Sequence, residues 1–416
     1  MVRRPGYFRL VLLLSLVLVS SAAQSADWAQ WRGPGHNNIA PQQESVPKEW
    51  SESTNVRWKT NVPGRGHSSP VVVGDLVVLT SADERNQAQA VIAFDRRTGK
   101  QEWLTPISRG GFPKIHIKNT HASPTIAFAD GLFYATFCHH GKVEAVAVDT
   151  AGEVAWRKDV GPFRPKAYEY GYAASPTIYG NTLIVTGSCD TSAWMKALDL
   201  KTGRQRWQQK RPEVLNWASP IVADVAGRRQ LLISGGYMIA GYNPDTGKEA
   251  WKAACLTMAT CGTCVWTDGM VIASGGFPDP QTAAVAADGS GRVLWTNKVK
   301  CYEQSMLLHD DYLYALADNG VAYCWHAKSG KEQWKNRLSG PVSASPLLVG
   351  DNIYAANERG TMYVFKASPN GFQAVAKNQL GNESFATPAV ADNVLYLRVA
   401  HGRRNQRQER LYAIAE

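Results

Sequence analysis

Short apolar runs joined by polar turns recur along the chain. Val71-Val72-Val73 gives way to Gly74-Asp75 and then to Leu76-Val77-Val78-Leu79. Two such runs around a Gly/Asp turn predict a hairpin of short strands. The turn returns at Gly180-Asn181, Asp268-Gly269, Gly350-Asp351 and Asp392-Asn393. A third strand follows the hairpin and ends in Ala-x-Asp, and the phrase continues as x-x-Thr-Gly-Lys to a Trp. It reads Ala93-Phe94-Asp95, Thr98-Gly99-Lys100, Trp103, and again Ala197-Leu198-Asp199, Thr202-Gly203, Trp207. Looser copies lead from Asp149 and Gly152 to Trp156, from Thr246-Gly247-Lys248 to Trp251, from Asp288 and Gly291 to Trp295, and from Ser329-Gly330-Lys331 to Trp334. Asp bonds its own downstream backbone and Gly takes positive φ without strain, so the phrase predicts a tight turn into a fourth strand.

A second phrase, Ser-Pro before an apolar run, opens each unit. It stands at Ser69-Pro70, Ser123-Pro124, Ser175-Pro176, Ser219-Pro220 and Ser345-Pro346, with Thr387-Pro388 as a variant and Gly262 and Met306 where Pro would be. From Pro70 to Pro388 the eight units average about 45 residues, the length of a propeller blade. The expected fold is all-β: an eight-bladed β-propeller of four-stranded antiparallel blades. The last unit, through Leu411-Tyr412-Ala413-Ile414, is one strand short, and Asn55-Val56-Arg57-Trp58-Lys59 has a Trp but no preceding strands. That N-terminal strand is expected to complete the last blade and close the ring, protecting its edges. Seven tryptophans, Trp58, Trp103, Trp156, Trp207, Trp251, Trp295 and Trp334, are then structural, packed between neighbouring blades.

Composition adds a compartment. The first 26 residues read as a secretory leader: Arg3, Arg4 and Arg9, the apolar run Leu10 to Val19, then Ser21-Ala22-Ala23. No Cys stands beside the cleavage site to carry a lipid. The expected organisation is a leader over 1–26, an extension over 27–54 and the propeller over 55–416, exported to a periplasm or beyond. Lys and Arg number 45 against 35 Asp and Glu, and fall to 42 without the leader, leaving +7. That balance weakly favours anionic partners, but no basic run interleaves with aromatics as a nucleic-acid groove requires. Arg403, Arg404, Arg407 and Arg410 read as a solvated hairpin tip. Seven cysteines, an odd count, are scattered through the chain. Cys261 and Cys264 replace the Ser-Pro phrase of the fifth unit, with Cys301 in the corresponding loop of the sixth. They are expected to pack or to form a disulfide, 261 to 264 or 261 to 301.

The repeated Ala-x-Asp-x-x-Thr-Gly-x-x-x-Trp stretch resembles the pyrroloquinoline-quinone-type propeller repeat, over roughly residues 55 to 416. The opening Asp27-Trp28-Ala29-Gln30-Trp31-Arg32-Gly33-Pro34 is similar to that of exported bacterial members. One branch, the quinoprotein alcohol dehydrogenases, implies a quinone with calcium and an adjacent Cys pair, which this sequence lacks. Cys261-Gly262-Thr263-Cys264 is followed by Val265, so it is not a haem attachment site. The other branch, the non-enzymatic scaffold of the outer-membrane barrel assembly machinery, matches better in size and blade count.

Candidate chemistry sits where the chain enters each innermost strand. Three residues before each unit's Pro position stand His67, His121, Ala173, Trp217, Ala259, Glu303, Ser343 and Phe385. His67, His121 and Glu303 would suffice to ligate a divalent metal, or to act as acid and base. The plainer reading is polar lining of a water-filled channel. Two long loops add Lys114, His116 and Lys118, and Arg164, Lys166, Tyr168, Tyr170 and Tyr172, a basic and aromatic rim suited to an anionic or sugar-like ligand. The expectation is a monomeric, non-enzymatic binding or scaffold protein of the cell envelope. Its partner would be a protein, a polysaccharide or a small molecule, with no nucleic acid, no membrane span after the leader and no cofactor. The alternative is an oxidoreductase-like enzyme with a metal or PQQ at the channel mouth.

Overall fold

A computed structural model describes residues 27–402 and 406–416, together with Val2. The leader expected over 1–26 otherwise lies outside the described residues, as do Arg403 and Arg404. Eight four-stranded antiparallel sheets form the ring. The first blade runs Val71–Val73, Leu76–Asp83, Ala88–Asp95 and Gln101–Arg109, inside to outside. The next six repeat that order through residue 379. The eighth takes Ala389–Ala391, Val394–His401 and Gln408–Ile414 from the end of the chain and Val56–Val62 from its beginning. Val56 pairs with Ile414 and Val62 with Glu409, so the N-terminal strand closes the ring. No helix among the described residues is long and apolar enough to cross a membrane.

Both repeated phrases have a physical cause. Asp95 Oδ1 accepts from the Arg97 and Thr98 amides and the Thr98 hydroxyl at 3.1, 2.7 and 2.7 Å. This holds Gly99 at φ +71°, where a Cβ would lie 2.4 Å from the Trp58 ring. The Trp58 indole donates to Arg96 O at 2.9 Å. Trp103, Trp156, Trp207 and Trp295 dock in the same way on Gly152, Gly203, Gly247 and Gly330 of the next blade. Trp103, Trp156, Trp207, Trp295 and Trp334 likewise donate to Thr150 O, Leu200 O, Pro244 O, Ala327 O and Ser368 O. Trp251 also packs against the next blade, beside Val271, Ala283 and Val285, but its hydrogen bond differs. Its indole donates within its own blade to Gln230 Oε1, and the Gln230 amide reaches Ala287 O of the next blade at 3.1 Å. The Ser-Pro phrase supplies hydroxyls to a hoop around the channel. Amides of Ser69, Thr125, Ser175, Thr263, Ser305 and Ser345 donate to hydroxyls of Thr125, Ser175, Ser219, Ser305, Ser345 and Thr387 one blade on, at 2.9–3.0 Å.

The seventh blade has no Trp on its outer strand, Ala374–Gln379. The eighth blade has no turn for such a ring to dock on, because its third and fourth strands come from opposite ends of the chain. The N-terminal extension fills that place. Trp50 stacks on Tyr354 with ring centroids 6.2 Å apart, and Asn378 holds Trp50 N and Lys48 O at 2.9 Å each. Earlier, residues 28–40 thread the channel. Trp28 exchanges backbone hydrogen bonds with Val72, Ala29 accepts from Phe128 N, and Asn38 and Ala40 bond Leu348. Arg32 is fully buried and donates to His36 O, Asn37 O and Met306 O. Burial pushes its pKa down to about 9.

The seam between the eighth and first blades carries a buried ionic clamp. Arg398 donates to Glu409 Oε2 at 2.6 Å, to Ser68 Oγ at 3.0 Å and to Thr80 O at 2.8 Å. Glu409 Oε1 accepts from Gly66 N at 3.1 Å and from Arg407, which also pairs with Glu383 at 2.6 Å. Arg407 is thus held by two carboxylates rather than solvated at a hairpin tip. Arg410 lies on the strand Gln408–Ile414.

Candidate functional site

Loops leading into the inner strands, and turns between second and third strands, meet at one mouth of the channel. They enclose a cavity of about 430 Å³ whose lining includes His67, Lys118, Tyr170, Trp217, Tyr302 and Glu303. Trp31 of the threading segment also lines it, its indole donating to Thr263 Oγ1 at 2.9 Å.

His67 and Glu303 face this cavity, and His121 does not. The His67 ring stacks on Phe385 at 4.4 Å. Burial first, and then Arg65, Arg398 and Arg407, hold its pKa well below the ordinary value, so it is neutral. The longer first-to-second-blade loop carries His121 away. Its ring lies on Phe112 at 4.0 Å with Nε2 3.0 Å from Pro113 O. Among the described residues no three or more His, Cys, Asp or Glu side chains are placed to hold a metal ion. The geometry therefore does not assemble the expected His67, His121 and Glu303 set.

The expected rim is rearranged too. His116 meets Tyr170 edge to face at 4.9 Å, Tyr170 stacks on Trp217 at 6.0 Å, and Tyr168 joins Tyr170 to Phe277 at 5.6 and 5.3 Å. Tyr172 is buried instead, donating to Thr186 O at 2.9 Å. Arg164 folds over Gly141, Lys114 points outward and pairs with Glu169 at 3.0 Å, and Lys166 is exposed. The seven cysteines are free thiols. Cys264 and Cys301 are buried in different apolar clusters and Cys261 packs against a third, so neither expected disulfide forms.

Two acids outside the positions counted back from each Pro join the site: Asp318 lines the cavity, and Glu358 stands behind Lys118 and Ser343, which line it. Lys118 reaches across the mouth to Glu358 at 2.6 Å and stands 3.7 Å from Glu303. Ser343 Oγ contacts Glu303 and lies 2.7 Å from Glu358. Burial raises the Glu303 pKa from its ordinary value, and the Ser343 hydrogen bond and the Lys118 charge offset part of that rise. Burial opposes the Lys118 charge, but the Glu358 hydrogen bond and the Glu303 and Glu358 charges outweigh it and raise its pKa. Lys300 repeats the arrangement, 3.4 Å from Asp318 and 5.0 Å from the Tyr302 ring centroid. Asp318 and Glu358 occupy matching second-to-third-strand turns, Asp318-Asn319-Gly320 and Glu358-Arg359-Gly360. That internal alignment was the sequence signal for them.

A family model described as outer membrane protein assembly factor BamB matches residues 49–110, 87–275 and 280–403. The chain is 26% identical over 352 residues to the outer membrane protein assembly factor BamB of Burkholderia pseudomallei, covering 82% of this chain and 83% of that one. Among solved structures, BamB from Moraxella catarrhalis superposes with a TM-score of 0.60 at 15% identity, covering 86% of this chain and 96% of that one. A europium-containing methanol dehydrogenase superposes with a TM-score of 0.67 at 12% identity, covering 94% and 98%. At such identities the structural likenesses establish the fold, which hosts both kinds of protein.

Proposed function

Because the chain belongs to the family described as outer membrane protein assembly factor BamB, we propose that it is a non-catalytic scaffold of the cell envelope. Its mouth face would hold a protein partner during outer-membrane protein assembly. The observation that carries this reading is the mouth itself. An aromatic path through Phe277, Tyr168, Tyr170 and Trp217 leads into the cavity beside Ile117, whose surface is 82% exposed. The lysines there are already paired with carboxylates. Apolar anchors ringed by satisfied polar groups suit a docking surface better than a reaction centre. A tricarboxylate quinone would find the lysines of the cavity, Lys118 and Lys300, already paired with Glu358 and Asp318.

The test uses Ile117→Asp and Phe277→Asp, both at exposed positions. Each should leave the melting temperature unchanged, end co-purification with the outer-membrane assembly complex and lower outer-membrane protein levels in the cell. Unchanged co-purification and unchanged outer-membrane protein in both variants would overturn the proposal.

A further inference from the structure

The mouth cavity already binds two ammonium groups, both from its own chain. Lys118 arrives from the loop between the first and second blades, 240 residues from Glu358, and places Nζ between the carboxylates of Glu358 and Glu303. Its loop is braced from beside it, Asn119 donating to Tyr170 O at 2.7 Å. Glu358 is nearly enclosed, its side chain 12% exposed, whereas Lys118 is 34% exposed. Ser343 contacts both carboxylates from below. The neighbouring subsite repeats the chemistry, with Asp318 and the Tyr302 ring around Lys300 Nζ. Trp31, Tyr170, Trp217, Phe277 and Phe385 add aromatic faces to the lining, among the hydroxyls of the hoop. Carboxylates at the base and aromatic faces at the sides are the surroundings that an ammonium on an apolar stem requires.

We propose that the mouth cavity is a binding site for an alkylammonium group, with Lys118 as an in-chain surrogate that the ligand displaces. This deepens the scaffold reading and rests on it, because a lysine side chain of a protein partner is one source of that group and a free diamine is the other. Lys118 is the displaceable member, since it reaches its acid on a flexible stem from a loop 240 residues away in the chain. While it occupies the carboxylates, the apparent affinity for any other ammonium falls by the fraction of time the site is open.

Calorimetry with 1,5-diaminopentane, with a short peptide carrying one lysine between apolar residues, and with the same peptide acetylated on that lysine tests the idea. Lys118→Gln should bind the diamine or the lysine peptide roughly fivefold more tightly than the native protein, the size a partly exposed ion pair supports. Glu358→Gln and Glu303→Gln, each made in the Lys118→Gln background, should lose that gain. The acetylated peptide should not bind. A lysine peptide that outcompetes the diamine identifies a polypeptide source, and the reverse a small amine. Equal binding of the acetylated peptide, no gain in Lys118→Gln, or retention of the gain in both carboxamide variants each overturns the proposal. Co-purification of Lys118→Gln with the assembly complex is scored in parallel. If it persists while no ammonium binds, the scaffold reading stands and this inference alone fails.

Discussion

Replacing Glu409 by Gln should destabilise the ring more than any other single change at its seam. Arg398 and Glu409 are each 2% exposed. With Glu409 neutral, Arg398 keeps only Ser68 Oγ and Thr80 O as partners. A buried charge stripped of its counter-ion costs about 4 kcal/mol. With about 2.1 cal/mol/K of unfolding entropy per residue, that lowers the melting temperature of a ring this long by about 5 °C. Arg398→Met should cost about 2 kcal/mol, because Glu409 still holds Arg407 and the Gly66 amide. The double variant Arg398→Met/Glu409→Gln should cost less than the two singles together, since no buried guanidinium is then left without its acid. The assay is thermal unfolding by circular dichroism across the four proteins, with limited proteolysis to locate the opening. Equal melting of Glu409→Gln and Arg398→Met, or strict additivity in the double, would refute the idea that the seam is held by charge compensation.

Two further outcomes follow from the turns and the threading segment. Gly99→Ala should cost several kcal/mol, because its Cβ would sit 2.4 Å from the enclosed Trp58 ring, whereas Gly180→Ala, at φ +54° with nothing within 4 Å, should cost only the roughly 1 kcal/mol of left-handed strain. Both are read by chemical denaturation. His36 is held neutral by burial and then by Arg32, its pKa pushed down to about 4. The unfolded chain takes up that proton near pH 6.5, so stability present above pH 6.5 should be lost as pH falls toward 4. Melting curves from pH 7 to 4 should show this slope shallower in His36→Gln, and identical slopes would remove His36 as its source.

The ring was legible in the sequence because its determinants are local. Asp95 and Thr98 make their turn with neighbours two and three residues away, so the phrase survives as a phrase in every blade that keeps the turn. Trp251 shows where that limit lies. Its own phrase keeps Thr246-Gly247-Lys248, but the turn it should meet is Asp288-Gly289-Ser290-Gly291, and the hydrogen bond passes to Gln230. The site was less legible because it is made by approach across the channel. Counting back from each Pro placed His67 and Glu303 at the mouth, yet it assumed a common backbone path that the longer loop before His121 does not follow. Lys118 was noticed as part of a basic rim, but its acid partner lies 240 residues away. Nothing periodic marks residues 28–40, where backbone bonds to the inner strands join side-chain contacts of Trp31, Arg32 and Asn38 that no repeat encodes.

The strand that completes the eighth blade is the first of the described strands in chain order, and its partner Gln408–Ile414 is the last of them. Residues 28–40 must likewise wait for the inner strands of the first, second and seventh blades before their backbone groups are satisfied. Folding is therefore vectorial in its middle and non-local at its finish. Seven blades can assemble in order of synthesis, each from contacts within about 45 residues, while the closing pair spans nearly the whole length. Such long-range closure is slow more than it is costly, because loop entropy grows only with the logarithm of length. Until it occurs the ring is a horseshoe with two bare sheet edges, the state most open to misassociation. The clamp of Arg398, Glu409 and Arg407 sits at that final joint, which makes it a latch on completion rather than one more contact in the wall.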